Sequence, residues 1–215
     1  MKKPDNIREF VWQIIDTDLS LKKDIARGII NVRSLANYIL SRYKVNISID
    51  SVISAIRRYN IKPEKEAADV YALLKKAKIR TITKMASLSL KKNEEVTSNL
   101  GRVLPEVNFE GGEVLRVIEG AKLFKIIIDE ASYEKMQNRF GKRNILESKK
   151  GIGMNEITYP DILKETPGVF AAISTELGAN DISIIDALII SNEHIIVLDE
   201  KDLLKGFEIL YSLCN

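Results

Sequence analysis

An internal repeat constrains the fold of this 215-residue chain more than any other feature of its sequence. When the chain is shifted by about 70 residues along itself, two segments and two single positions match in chemical character. The matches are "IIIDE" (126–130) with "IVLDE" (196–200), "EVLRVI" (113–118) with "SIIDAL" (183–188), Leu100 with Phe170, and Val103 with Ile173. The alignment needs no gap, so it predicts two copies of one structural unit.

Each copy is predicted to contain a strand, a helix, two strands and a second helix, in that order. The turns "EGAK" (119–122) in the first copy and "ISNE" (190–193) in the second join the two consecutive strands into a hairpin. A unit of this size with the order β-α-β-β-α-β is ferredoxin-like, with an antiparallel sheet and both helices on one face. The first copy can close with a strand in "NILESKKG" (144–151), before "MNEITYPDIL" opens the second. The predicted fold class is therefore α+β.

The second copy has no room for its own last strand, because the sequence ends at Asn215 directly after the second helix. An unpaired strand edge invites pairing, so the strand is expected from elsewhere. The first copy, the segment around 78–90 and another subunit are the three candidate sources. A homodimer is the simplest form of the last alternative.

The first 60 residues instead show apolar residues at helical spacing. A first helix is predicted behind Pro4 and Asp5, and a third after Asn31, with Leu35, Tyr38 and Ile39 buried. We expect four domains or segments in all. They are a helical, helix-turn-helix-like head (1–62), a connecting helix (63–77), a degenerate copy of the unit (78–152) and a second copy (153–215).

The fourth helix of the head has the clearest pattern, because Ser48 can cap it and its apolar positions recur at one face. Its opposite face carries Ser51, Ser54, Arg57 and Arg58. As a recognition helix, it would place the two arginines on DNA phosphates and the two serines on base edges or backbone. The alternative is a helical dimerisation or partner-docking module with a solvated basic face, since Asp50 occupies the leading turn.

Charge is divided unevenly along the chain. Residues 1–80 hold 17 Lys and Arg against 9 Asp and Glu, whereas residues 81–215 hold 16 against 21. This division is typical of a nucleic-acid-binding head on an acidic body, and it also suits two oppositely charged faces that dock on each other.

Few residues offer catalytic or metal-binding chemistry. Cys214 is the single cysteine, which predicts a reducing compartment and hence the cytoplasm, and no apolar run is long enough to predict a membrane span. His194, the single histidine, is predicted at the surface in a hairpin turn, so neither a multi-histidine metal site nor a histidine-based triad can form. With no glycine-rich phosphate loop either, we predict no enzyme, no cofactor and no metal.

The segment "TPGVF" (166–170) is the candidate ligand site. Thr166 stands where a helix N-cap would lie, and Pro167 stands at the first helical position, where a missing N–H costs nothing. The free N–H groups of the first turn and the helix dipole would then face a carboxylate.

The strings "TPGVFAAISTELGANDISIID" and "HIIVLDEKDLLKGFEIL" resemble the ACT domain found at the C-terminus of aspartate kinases, and the likeness covers residues 155–213. The first copy departs from it at "LKKNEEVTSNL" (90–100), which lacks both Pro and Gly. The head, with "ARGIINVRSLANYIL" and "SIDSVISAIRRY", is similar to the N-terminal segments of small archaeal ACT-domain proteins. The catalytic domain of the kinases is absent from this sequence.

The resemblance implies an amino-acid effector, held between two units by the Pro-Gly turn and by the start of the next strand. The implied contact residues are Leu163, Thr166, Pro167, Gly168, Val169, Phe170, Ser183, Ile184 and Ile185. Ile185 stands where some aspartate kinases direct a polar side chain at the effector amine. A purely structural role for the paired units is the alternative.

Together these features predict a non-enzymatic regulator that senses an amino acid or similar small ligand, with DNA as a candidate second partner. The alternative is a regulatory or scaffold subunit that binds an amino-acid biosynthetic enzyme.

Overall fold

The structure, a computed structural model, describes residues 4, 6–59, 65–160 and 166–215. The chain divides into two compact units, Met1–Lys65 and Glu66–Asn215. Within the described ranges, no helix is both long and apolar enough to cross a membrane.

The first unit is helical, and each helix begins behind a polar side chain that caps it. The helices are α1 (Ile7–Thr17), α2 (Leu19–Ala26), α3 (Val32–Tyr43) and α4 (Ile49–Arg57). The caps are Asn6, Asp18, Asn31 and Ser48, whose side-chain oxygens accept N–H groups of the first turn. The first helix begins at Ile7 behind Asn6, and Asp5 lies outside the described residues.

Apolar residues of α1, α3 and α4 form one core, with Val11, Ile39 and Val52 fully buried. Tyr38, predicted on the buried side of α3, is instead 44% exposed. The buried face of α3 is narrower than the sequence pattern suggested, and it is filled by Leu35, Ala36 and Ile39.

The second unit begins with α5 (Lys65–Leu74) and then alternates strands and helices. These elements are β1 (Lys78–Lys91), α6 (Glu94–Val103), β2 (Leu115–Glu119), β3 (Leu123–Asp129), α7 (Tyr133–Phe140), β4 (Ile145–Thr158), α8 (Val169–Ala179), β5 (Asp186–Ile190), β6 (Glu193–Asp199) and α9 (Glu200–Leu213). The strands form one sheet in the order β2-β3-β1-β4-β6-β5, in which every neighbouring pair is antiparallel.

The longest strands, β1 and β4, pair with each other at the centre of the sheet, from Lys78 opposite Thr158 to Leu90 opposite Ile145. β4 runs unbroken across the predicted 152/153 boundary, so the two strands predicted in "NILESKKG" and "MNEITYPDIL" are one. The physical reason is Gly151, whose φ of +65° accommodates a bulge within the strand instead of a chain reversal. Of the three sources considered for the second copy's missing partner, the structure shows the segment 78–91 of the same chain.

The bulges in β1 and β4 occupy corresponding positions in the two copies. Met85 lies opposite Asp129 of β3, and Ile152 lies opposite Asp199 of β6. Each bulge is held by a glutamate from the other half of the sheet. The Lys84 N–H donates to Glu200 at 3.4 Å, and the Gly151 N–H donates to Glu130 at 3.3 Å.

The helices lie against one face of the sheet in two clusters. One contains α6 and α7 with the second half of β1, and the other contains α5, α8 and α9 with the end of β4. The opposite face also has a fully buried apolar cluster, built on Met85, Ile127, Ile152, Met154, Ile195 and Val197. This second cluster requires the sheet to curl over itself.

Ion pairs between non-adjacent strands show the curl directly. Arg116 of the edge strand β2 donates to Glu156 of β4 at 2.9 Å, and Arg80 of β1 contacts the same carboxylate. Lys125 of β3 lies 2.5 Å from Asp186 of the opposite edge strand β5 and forms an ion pair with it. Glu156 is only 2% exposed, so the two guanidinium groups compensate a buried charge.

The two copies are not related by a gapless repeat. The hairpins follow the predicted shift of about 70 residues, since Asp129 corresponds to Asp199. The first strands follow a smaller shift, because Met85 pairs with Asp129 and Ile152 pairs with Asp199, so Met85 corresponds to Ile152. Leu100 corresponds to Ile173 rather than to Phe170, since each lies one turn after the first buried valine of its helix. The connection from first strand to first helix is short in the first copy (92–93) and long in the second (159–168).

Gly153 lies where β1, β4 and α9 meet, and it has no space for a side chain. A Cβ there would be 2.8 Å from the Ile82 carbonyl oxygen and 2.3 Å from a Leu203 methyl carbon. Gly153→Ala is therefore expected to lower the free energy of unfolding by about 1–3 kcal/mol through overpacking. Urea denaturation followed by circular dichroism measures this.

Gly178→Ala in α8 is the matched control, because a Cβ there meets nothing within 4 Å. It is expected to be neutral or to stabilise by up to about 1 kcal/mol. Equal losses for both variants would contradict the tight approach at Gly153.

Candidate functional site

The structure changes the local geometry predicted for the Pro-Gly elbow. α8 begins at Val169 and its N-cap is Gly168, so Thr166 and Pro167 precede the helix instead of capping and opening it. Gly168 has φ +89°, in the left-handed region that favours glycine, and this conformation ends the turn and sets the helix direction. Leu163, also predicted as a contact, lies outside the described residues.

The first turn of α8 has N–H groups that no side chain caps within the part of the chain described. The first helical bond in this turn is from the Ala172 N–H to the Gly168 carbonyl at 2.9 Å, so the N–H groups of 169–171 have no partner inside the helix. Gly168 offers no side-chain oxygen to satisfy them. These donors and the positive end of the helix dipole form a local environment suited to a carboxylate.

The corresponding helix of the first copy is closed to such a ligand. Asn93 caps α6, and its side-chain oxygen accepts the Val96 N–H at 2.9 Å. Two glutamates, Glu94 and Glu95, occupy the first turn. Because a side chain already caps this turn and the local charge is negative, the start of α6 is less suited to an anion than the start of α8.

The other predicted contact segment, 183–185, lies just before β5 rather than within it. Ile184 packs into the same core cluster as Phe170, so the structure places these two predicted residues in a common cluster. Ile185 packs into the cluster on the other sheet face, and its N–H donates to the Val197 carbonyl at 2.9 Å. Ser183 is exposed.

Beside the elbow lies a buried polar pair that the sequence did not indicate. His194 was predicted at the surface, but it lies near the start of β6, and its side chain is buried, with 2% exposed. Its Nδ1 lies 3.0 Å from the Tyr159 hydroxyl, and its ring is 6.0 Å from that of Phe170. Tyr159 follows β4 and Phe170 lies in the first turn of α8, so local sequence patterns cannot reveal that both contact His194.

Burial sets the protonation of this cluster. It lowers the pKa of His194 below its ordinary value of 6.5, and it raises the pKa of the Tyr159 hydroxyl. Burial also raises the pKa of the Cys214 thiol, which therefore stays protonated and is a poor nucleophile. Across the described ranges, no group of three His, Cys, Asp or Glu residues is placed to hold a metal ion.

In the head, three of the four predicted DNA contacts come together. Ser51, Ser54 and Arg58 line an open cavity of about 400 Å³, whereas Arg57 does not line it. The cavity is completed by Ile7 and Arg8 of α1 and by Asp50 and Ala55 of α4. Sequence reasoning missed Arg8, although its spacing of four residues from Trp12 would have placed both on one face of α1.

No family model matches this sequence. Among curated proteins, none matches it either. The solved structures do provide similar folds, all at low sequence identity.

The aspartate kinase of Clostridium acetobutylicum, described as an allosteric enzyme, superposes with a TM-score of 0.52 at 14% identity, over 64% of this chain and 34% of that one. The regulatory subunit of aspartate kinase from Thermus flavus superposes with a TM-score of 0.51 at 10% identity, over 64% of this chain and 97% of that one. The structure of the aspartokinase alpha and beta subunits superposes with a TM-score of 0.51 at 14% identity, over 63% of this chain and 95% of that one. The chain thus shares the α+β fold of aspartate kinase regulatory parts.

The buried His194 predicts a pH dependence of stability. With a pKa below 6.5 in the folded state, His194 binds fewer protons there than in the unfolded chain as the pH falls. Stability is therefore fully present above about pH 6.5 and declines below it, by at most about 1.4 kcal/mol per pH unit. Melting temperatures measured from about pH 8 to pH 5 test this.

His194→Gln removes the only histidine of the chain. This variant is expected to melt at a lower temperature but with a flatter pH profile between about pH 6.5 and 5.5. A wild-type profile as flat as that of the variant would contradict a buried, neutral His194.

Proposed function

We propose that this chain is a non-enzymatic regulatory protein that binds an amino acid, or a small carboxylate of similar size, at the start of α8. The observation that supports it most directly is the uncapped first turn of α8 behind the left-handed Gly168. The regulatory fold shared with parts of aspartate kinases agrees with this role.

In this proposal the ligand carboxylate accepts the backbone N–H groups of Val169 and Phe170. Thr166, Pro167 and Gly168 form the turn beside it, and Ser183, Ile184 and Ile185 form the opposite wall. Because Ile185 is packed against the other sheet face, it offers the ligand its backbone rather than its side chain. Recognition of an amine would then fall to carbonyl groups of 183–185.

Isothermal titration of the purified chain against the proteinogenic amino acids is expected to show heat with at least one of them. Ser183→Glu places a negative charge beside the proposed carboxylate site and is expected to abolish that heat, because like charges repel. Thr175→Glu is the matched control, since Thr175 is an exposed residue further along α8 and should leave binding intact.

Absence of heat and of any melting shift with every amino acid would remove the sensing proposal. Equal effects of the two glutamate variants would instead place the ligand elsewhere on the chain.

DNA binding by the head is a second candidate function. The observation that favours it is the joint placement of Ser51, Ser54 and Arg58 on one open surface of α4. With Arg57 on the same exposed helix, the head would make the chain a transcriptional regulator that responds to its ligand.

The outer face of α9 favours the alternative of a regulatory or scaffold subunit. Leu204 is 71% exposed there, and the rings of Phe207 and Tyr211 stack at 5.8 Å. Such a face suits a homodimer or a partner enzyme of amino-acid biosynthesis. A stoichiometric enzyme recovered with the chain from native extract, without retention of DNA, would favour this alternative.

A further inference from the structure

The open cavity of the head lies between the start of α1 and the exposed face of α4. Arg8 contributes from α1, and Ser51, Ser54 and Arg58 contribute from α4. Each of these side chains ends in hydrogen-bond donors, five on a guanidinium and one on a hydroxyl. The cavity thus gathers donors from two helices at one place.

Trp12 fixes the position of α1 against α4. Its indole N–H donates to the Ala55 carbonyl at 2.9 Å, one of the last carbonyls of α4, which lack partners inside the helix. The ring of Tyr59 packs edge-on against Trp12 at 5.9 Å, and the Tyr59 hydroxyl contacts Asp16. The two helices are therefore held in one relative position.

Arg8 in turn is held over Trp12. Its guanidinium carbon lies 5.2 Å from the centre of the indole ring, one helical turn before the residue that contacts Ala55. A guanidinium stacked on an aromatic ring keeps its N–H groups directed outward in the ring plane. Arg8 is thus oriented at the cavity before any ligand arrives.

The charge of the cavity is positive. None of the ion pairs found within the described ranges involves Arg8 or Arg58, so each cation is available to a ligand. Among the described residues that line the cavity, Asp50 is the one carboxylate. The whole unit Met1–Lys65 carries 13 Lys and Arg against 7 Asp and Glu.

We propose that this cavity binds a backbone phosphate of double-stranded DNA, with Arg8 and Arg58 as its cations and the hydroxyls of Ser51 and Ser54 as further donors. This inference rests on the DNA-binding candidate function, and it makes α1 part of the interface. Phosphate oxygens are the preferred partners of paired guanidinium groups.

Duplex DNA is favoured because the cavity is open and adjoins the exposed face of a helix. An α-helix fits the major groove, which is about 12 Å wide, and phosphates flank that groove on both sides. A phosphate held between α1 and α4 would set the position of α4 on the duplex without reading its sequence. Asp50 opposes phosphate binding, so its charge limits the affinity.

The test uses the full chain and a fluorescent random-sequence duplex, since backbone contacts do not depend on sequence. Affinity is measured between about 50 and 200 mM salt. Arg8→Gln is expected to weaken binding at every salt concentration and to reduce the slope of log K against log salt by about 1. Asp50→Asn is expected to tighten binding by removing the opposing charge.

Arg27→Gln is the matched control, because it removes the same charge from the C-cap of α2, outside the cavity. It should weaken binding less than Arg8→Gln and leave the salt slope nearly unchanged. Melting temperatures of all three variants separate loss of contact from loss of fold.

Each outcome decides a different point. Binding of DNA by the wild type with equal effects of Arg8→Gln and Arg27→Gln would overturn the cavity site but leave DNA binding by α4. No retention of duplex even at low salt would overturn both. Binding of inorganic phosphate without binding of duplex, or a preference for single-stranded RNA, would overturn the assignment to duplex DNA.

Discussion

The antiparallel pairing of β1 with β4 is the interaction on which the second unit of this protein depends. Both strands are 14 residues long, and they pair along almost their entire length. Each strand also pairs on its other side with the hairpin of its own copy, β1 with β3 and β4 with β6. Neither copy could bury its sheet centre without the other, because each first strand completes the other copy's sheet.

The same pairing explains the buried face without helices. The bulges at Lys84 and Gly151 increase the local twist, and the sheet curls until β2 reaches β4 and β3 reaches β5. Arg116 then reaches Glu156 across the curl, and a layer of Ile, Val and Met side chains is enclosed. Glu156 keeps both of its guanidinium partners only while the curl persists, because Arg80 lies on the adjacent strand but Arg116 reaches it from the edge strand β2.

The two copies are alike at the central strands β1 and β4 but differ at the starts of their first helices, α6 and α8. The connection after β1 is short and its helix is capped by Asn93, whereas the connection after β4 is long and its helix start is uncapped. In the second copy, His194 is also buried against Tyr159 and Phe170. The two copies thus share one scaffold, whereas the starts of their first helices differ: a side chain caps α6, and none among the described residues caps α8.

Local patterns in the sequence were sufficient for much of this architecture. Asn31 and Ser48 lie at the helix starts where capping chemistry predicts them, and "IIIDE" and "IVLDE" lie in equivalent strands of the two hairpins. The errors concern features fixed by distant contacts. The boundary predicted at 152/153 divided one strand in two, because the partner strand that carries β4 past its bulge is distant in sequence. The buried His194 and the cavity residue Arg8 likewise depend on packing between elements far apart in sequence.

Native-state hydrogen exchange of the full chain tests the shared central pair most directly. If β1 and β4 each complete both copies, amides at the centres of both strands should exchange only through the same global opening, with equal free energies and equal sensitivity to denaturant. Protection of β1 with β3 that persists while β4, β6 and α9 have already opened would show two independent sheets. That result would contradict the account.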